Sequence, residues 1–451
     1  MLIGSKLQKK NATDLSSWRL VGLVFLILSF LSAELFLPRI GGHRLNYPIF
    51  AIIASVVLAF NLQHLKANSF LLGKKLPLVF AFYIGWLFLS TLWSIEPKQT
   101  IFNSVLYLIL FLSILSYSDV NTKTTAQVII KISVCVGILS WLFVLVKPSL
   151  AALPDVTWRL NGIMSHSQRL SLMSGIGLIL LVNFGQSFSV DPARIFSYRF
   201  RIAAAIFLII TMLATQTRSF TAFILICAFS SYFLQLNQYI KIILVLSVFV
   251  IIAALMSDTS FVEQLFHRDD GADATLTGRT TIWEKTILLI NQKPWLGYGL
   301  GTFMNDMTAT FFRDYIPPHA HNTWVNSAFE TGIIGASILT MFLLGILIFY
   351  LRQYSTFGTL GLGFWLTILA LLCGTMGLIF GGEVSTPQAL TLLILFQEFY
   401  TVAKTKDVNN RQNPNRYHNL LSQRTNDQKE SSLPLLKFHF LQKSPYRTEP
   451  T

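Results

Sequence analysis

Apolar runs of about the length that crosses a bilayer recur along this chain, at about 18–37, 47–62, 77–95, 100–117, 127–147, 169–187, 202–216, 219–236, 240–257, 323–351, 361–381 and 386–403, of which 202–216 and 386–403 are short or polar. A transmembrane helix needs roughly 17–25 such residues, because the hydrocarbon core is about 30 Å thick and each residue rises 1.5 Å. Backbone polar groups have no water to bond there, so a repeated pattern of this kind folds as helices. The expectation is an all-α, polytopic integral membrane protein with about twelve transmembrane helices. Only 12% of residues are charged, against roughly a quarter in soluble domains, which argues against a soluble enzyme.

The net charge of +14 sits mainly in short segments between the runs, so topology explains it better than nucleic acid does. With the N-terminus in the cytoplasm, the inner loops carry Lys66, Lys74 and Lys75, then Lys123, Arg194, Arg199 and Arg201, Lys241 and Arg352. The outer loop 38–46 dissents with Arg39 and Arg44. The first run, behind Lys6, Lys9 and Lys10, is too long for a signal-peptide core and is read as a retained span. Residues 1–17 form a cytoplasmic N-terminus, 18–257 nine spans, 258–322 a long extracytoplasmic loop, 323–403 three further spans, and 404–451 a polar, disordered cytoplasmic tail. Cys135, Cys227 and Cys373 all fall in apolar runs and offer neither a disulfide framework nor a metal site.

Chemistry concentrates in the segments assigned to the outer face. In TGRTTIWEKTILLINQKPWLGYGLGTF (277–303), Thr281 and Glu284 have the spacing of a capping box. That predicts a short amphipathic surface helix from Ile282, stopped by Pro294, with Arg279 just before an anion-favouring N-terminus. Gly297, Gly299 and Gly301 lack the strand and lysine of a nucleotide loop and read as a tight turn. Farther on, His319, His321 and Asn322 precede a span that contains Glu330. A boundary histidine titrates near neutral pH and can serve as a base, whereas two histidines alone do not make a metal site. An intramembrane carboxylate is costly, so Glu330 is either functional or the partner of an arginine. Arg218 in TQTRSF, Arg159, His166 and Arg169 in WRLNGIMSHSQR, and Glu383 in the last outer turn complete the set. Each arginine also has a plain reading as a snorkelling anchor or loop clamp. Together they suit a negatively charged substrate presented from the membrane, with arginine fulfilling the charge-neutralising role that a metal ion fills elsewhere.

The series TGRTTIWEKTILLINQKPWLGYGLGTF and HAHNTWVNSAFETGIIG, with LWSIEPKQT, WRLNGIMSHSQ and TQTRSF in order before it, resembles the bacterial O-antigen ligase/O-antigen polymerase family over roughly residues 80–400. WRLNGIMSHSQ is similar to a segment of the exopolysaccharide polymerase-like members, but has an inserted Leu-Asn and Ser-Gln where those continue His-Lys-Asn. The resemblance implies a metal- and cofactor-independent glycosyltransferase at the outer face of the bacterial inner membrane. Its donor would be an undecaprenyl-diphosphate-linked oligosaccharide and its acceptor another lipid-linked glycan or lipid A–core, with other polysaccharide-assembly proteins as partners. On the same grounds Arg218 and Arg279, with Arg159, would bind the diphosphate, and His321 would activate the acceptor hydroxyl. His319, Asn322, Glu330, Arg169 and His166 would support them. The competing reading is a multi-pass transporter or flippase, whose ionisable groups should lie near the bilayer midplane rather than at one surface.

Overall fold

The computed structural model of the chain describes residues 17–32, 35, 39–40, 43–44, 46–148, 152–153, 159–184, 196–241, 279–312, 317–357, 360–377, 379–380 and 382–412. Its helices are α1 (Ser17–Ser32), α2 (Asn46–Phe60), α3 (Leu62–Asn68), α4 (Lys75–Leu89), α5 (Pro97–Ser116), α6 (Thr122–Val146) and α7 (Ser167–Asn183). They continue as α8 (Tyr198–Ala214), α9 (Arg218–Gln235), α10 (Arg279–Gln292), α11 (Asp306–Phe312), α12 (Thr323–Phe357), α13 (Leu362–Gly374) and α14 (Thr386–Gln412). Two-residue strands form two small hairpins, Arg39–Ile40 with His43–Arg44 and Ala152–Leu153 with Arg159–Leu160.

Among the described residues, four helical segments are long and apolar enough to cross a membrane: Lys75–Leu92, Pro97–Ser116, Thr122–Val146 and Thr323–Ser355. A fifth candidate is the pair Asn46–Phe60 and Leu62–Gly73, bent by 75°. α1, most of α9 and α13 are apolar but shorter. The apolar run expected at 240–257 lies almost wholly outside the described residues, and the segment 258–278 lies wholly outside them. Two boundaries differ from the sequence reading. Residues 63–73, within the stretch read as a basic inner loop, are helical. The tail expected from 404 begins inside α14, which runs on to Gln412.

Polar side chains, most of them buried or partly buried, and one backbone bridge tie the helices together at two ends. At one end, Asn46 donates to the Ser32 carbonyl at 3.0 Å, Thr386 donates to the Phe30 carbonyl at 2.7 Å, Tyr47 bonds Glu383, and Leu35 bridges Met164. At the other, Arg19 grips both oxygens of Asp119 at 2.8 and 2.9 Å, and Asn68 donates to Asp119 at 3.1 Å. Farther along, Glu398 accepts from Tyr350 and from the backbone N–H groups of Leu362 and Gly363, which begin α13. The carboxylate thus satisfies donors that a helix start leaves open. Between the ends, Phe80 packs on Phe342, Phe111 and Phe396.

Candidate active site

α10, the loop behind it and the start of α12 form one substructure. The helix begins at Arg279 itself, not at Ile282 as the Thr281/Glu284 spacing implied, so Arg279 occupies its first turn. It ends at Gln292, two residues ahead of Pro294, whose ring cannot follow in a helix. Ile282 and Leu289 are buried with Tyr298, Phe303, Phe312 and Phe329, whereas Ile287 and Leu288 are exposed. Tyr298 stacks on Phe329 with ring centroids 4.8 Å apart.

α12 is broken at Gly332, where φ is 69° and ψ 176°. The glycine loop fills the break. Tyr298 and Gly299 donate their backbone N–H groups to the carbonyls of Phe329 and Glu330, at 3.0 and 2.7 Å. In the opposite direction, Ile333 donates to the Pro294 carbonyl at 2.8 Å. Trp86 caps the Thr331 carbonyl at 3.0 Å, and Trp93 caps that of Leu296 at 2.8 Å. The groups a helix loses at a kink are therefore re-paired, as burial requires. Gly297, Gly299 and Gly301 all have positive φ, which only glycine adopts without cost. Their sequence pattern marks a turn; its docking into another helix is a tertiary fact.

Just before α12, the backbone folds back so that His319 and His321 face each other with ring centroids 4.3 Å apart. His321 has φ 49°, in the left-handed region. Its N–H donates to His319 Nδ1 at 3.0 Å. Asn322 caps α12, its side-chain oxygen accepting from the N–H groups of Trp324 and Val325 at 2.9 and 3.1 Å. Its Nδ2 donates to the Thr375 carbonyl at 3.2 Å, tying this cap to the end of α13.

Charge converges on the two histidines. Burial pushes His321 down, to about 4, and Arg279 and His166 add to the effect. Burial, followed by His321, Arg169, His166 and Arg279, holds His319 well below its ordinary range. His166 is also lowered, by burial and by Arg169. Hence Arg279 from α10, Arg169 and His166 from the start of α7, and the His319/His321 turn share one electrostatic neighbourhood. His166 caps α7 by accepting the Gln168 N–H at its Nδ1, at 3.2 Å. Arg279 reaches the Met376 sulfur at 3.4 Å.

The other sequence candidates are placed less closely. Arg218 is exposed in the first turn of α9. Two residues on, Phe220 lies against Gly377, whose carbonyl accepts from Thr323 at 3.3 Å. Arg218 therefore belongs to the same end of the bundle as the histidines. Arg159 is half-buried in the second hairpin. Glu330 is buried, two turns into α12, in contact with the Gly301 N–H and the Asn326 side chain. Glu383 bonds Tyr47. Among the described residues, no three His, Cys, Asp or Glu side chains group to hold a metal ion. Sequence reasoning missed Asn326, Trp283 and Trp86, because only their tertiary partners give them a role.

Residues 203–340 match the family model described as O-antigen ligase. This segment contains Arg218, Arg279, His319, His321, Asn322 and Glu330, and leaves out Arg159, His166 and Arg169. The chain is also 35% identical over 81 residues to the exopolysaccharide production protein ExoQ of Rhizobium meliloti (strain 1021). That alignment covers 16% of this chain and 19% of the relative's own length. With its apolar helices, this multi-pass membrane protein is similar, over residues 203–340, to the O-antigen ligase family and, over a shorter stretch, to an exopolysaccharide production protein.

Proposed function

We propose that the protein is a membrane glycosyltransferase of surface polysaccharide assembly. In this reading it moves a glycan from undecaprenyl diphosphate onto a sugar hydroxyl at the periplasmic face of the inner membrane. The observation that carries the proposal is the difference between His321 and its neighbours. His166 and His319 each accept a backbone N–H at Nδ1, so their remaining ring proton sits on Nε2. His321 Nδ1 is buried without a hydrogen-bond partner. Burial, with Arg279 and His166 adding to it, lowers the proton affinity of the ring and keeps it neutral and able to accept a proton at pH 7.

The acceptor oxygen attacks the anomeric carbon while the bond from that carbon to the diphosphate oxygen breaks. The electron pair leaves with undecaprenyl diphosphate, and the hydroxyl proton passes to His321. Arg279 and Arg218 neutralise the departing diphosphate, which suits the planar, permanently charged guanidinium. Arg159 and Arg169 add positive potential, His319 and His166 supply N–H donors, and Asn322 fixes the chain beside His321. Direct attack inverts the anomeric centre; a carboxylate nucleophile such as Glu330 or Glu383 would retain it.

Likeness to an exopolysaccharide production protein favours a polymerase, in which the acceptor is a second lipid-linked repeat. The ligase reading, with lipid A–core as acceptor, rests on the description of the matching family. The deciding test offers purified protein an undecaprenyl-diphosphate-linked repeat and both acceptors in parallel, with EDTA present. A ladder of longer lipid-linked chains identifies a polymerase, and product on lipid A–core alone a ligase. Folded protein that transfers to neither, but moves the donor across vesicles, is a transporter.

A further inference from the structure

His321 sits in a backbone conformation that a non-glycine residue keeps only when its surroundings hold it, with φ 49°. Three hydrogen bonds fix the peptide groups around it. His319 accepts the His321 N–H at 3.0 Å, Trp283 of α10 donates to the Ala320 carbonyl at 2.9 Å, and the Ala320 N–H donates to Asn326 Oδ1 at 3.1 Å. Ala320 and Asn326 are both fully buried. The bond from Ala320 requires the oxygen end of the Asn326 amide to face the turn. Glu330 stands one helical turn on, beside the same amide, where an oxygen of its carboxyl, ionised or neutral, can accept from the Nδ2 end. Glu330 in turn neighbours the Gly301 N–H. A continuous line thus runs from the glycine loop through Glu330 and Asn326 to the peptide preceding His321.

We propose that Asn326 is a positioning residue for His321, and that Glu330 acts through it by fixing which end of the amide faces Ala320. Glu330 in this role neither attacks the substrate nor carries its proton; it holds a buried amide in one of two orientations. The inference rests on His321 being the base proposed above. It separates two roles that a buried carboxylate nine residues from a catalytic histidine could play.

The test compares Asn326→Ala, Glu330→Ala and Glu330→Gln in the full-length protein in detergent, with three readouts. Diethyl pyrocarbonate modification of His321, followed by peptide-resolved mass spectrometry, needs no activity. Its rate rises several-fold in Asn326→Ala and in Glu330→Ala. It stays near that of the parent in Glu330→Gln, whose side-chain oxygen still accepts from Asn326. Transfer activity follows the same order: kcat falls by about 100-fold in the two alanine variants, the scale of a misplaced catalytic group. KM for the lipid-linked donor changes little. The acid limb of the pH profile moves upward in both as His321 gains solvent, which a loss of stability alone does not produce. Loss of activity in Glu330→Gln comparable to that in Glu330→Ala overturns the proposal and returns Glu330 to a chemical role. An unchanged His321 modification rate in the alanine variants overturns it too, whatever the activity. Full activity of His321→Ala refutes the base assignment instead, leaving the modification result to judge the positioning contacts. Where Asn326→Ala does not fold, the two Glu330 variants decide alone.

Discussion

Gly297 and Gly332 meet backbone to backbone: a Cβ on Gly297 would stand 2.5 Å from the Gly332 nitrogen, and one on Gly332 would overlap the Trp295 carbonyl. Both have positive φ. The loop after α10 and the break in α12 are therefore two halves of one joint, and Arg279 and His321 lie on its two sides.

Gly297→Ala and Gly332→Ala are each expected to destabilise the protein by roughly 2–4 kcal/mol, adding left-handed strain to backbone overlap. Gly85→Ala is the control, because nothing lies within 4 Å of a Cβ there. Thermal unfolding in detergent checks this: the joint variants melt well below the parent and the control close to it. Equal melting of all three would show that the loop does not depend on the break.

This joint shows where the sequence stops being legible. The run 323–351 reads as one continuous span, because hydropathy is blind to a helix that breaks and resumes. GYGLG reads as a turn because three close glycines seldom do anything else, yet its partner is set by α12, not by its neighbours in the chain. Most helices were readable because each apolar run must bond its own backbone. His321 and Arg279 were legible as residue types at a membrane boundary. The approach of Arg169 and His166 to His319 was not, since more than a hundred residues separate them. Nor was the helical start at Arg279, where the capping-box spacing at Thr281 and Glu284 pointed one turn too late.

His321 has its proton affinity lowered to about 4 by burial and by Arg279 and His166. A base works only when unprotonated, so kcat/KM should hold steady from neutral pH downward and fall as pH drops through about 4. Binding the donor brings phosphate negative charge beside the ring and raises its affinity for protons. The acid limb of kcat should therefore lie at higher pH than that of kcat/KM. His321→Ala should remove transfer while insertion and expression continue. Coincident limbs for the two parameters would mean that the diphosphate does not sit near His321.

Arg279→Lys should lower kcat/KM by about 100-fold, on the scale of losing one fixed donor to a developing anion. Lysine keeps the charge but not the planar fork, and its shorter reach forfeits the contact with Met376. Arg218 is exposed, so Arg218→Lys should raise KM for the donor more than it lowers kcat. Steady-state kinetics with the lipid-linked donor separates the two. Parental kinetics in Arg279→Lys would make that residue a helix-start anchor only.

The opposite end of the bundle offers a test of stability apart from catalysis. Burial pushes the Asp119 carboxyl up, but Arg19, Asn68 and His64 together hold it below its ordinary value. A carboxyl whose proton affinity is depressed in the folded state stabilises that state above its ordinary value of 3.8 and loses the contribution as pH falls through the depressed one. Asp119→Asn keeps the shape and removes the charge that Arg19 grips at 2.8 and 2.9 Å. It should cost about 2 kcal/mol near pH 7, the scale of hydrogen bonds to a charged group. In acid the parent and the variant should converge, because the parent's carboxyl is then protonated as well. Transfer per folded molecule should stay at the parental rate throughout, since Asp119's partners among the described residues all lie at the end away from His321. Melting curves at neutral and acid pH, paired with transfer rates, check both halves. A drop in rate without a drop in melting temperature would mean that Asp119 communicates with the histidine end.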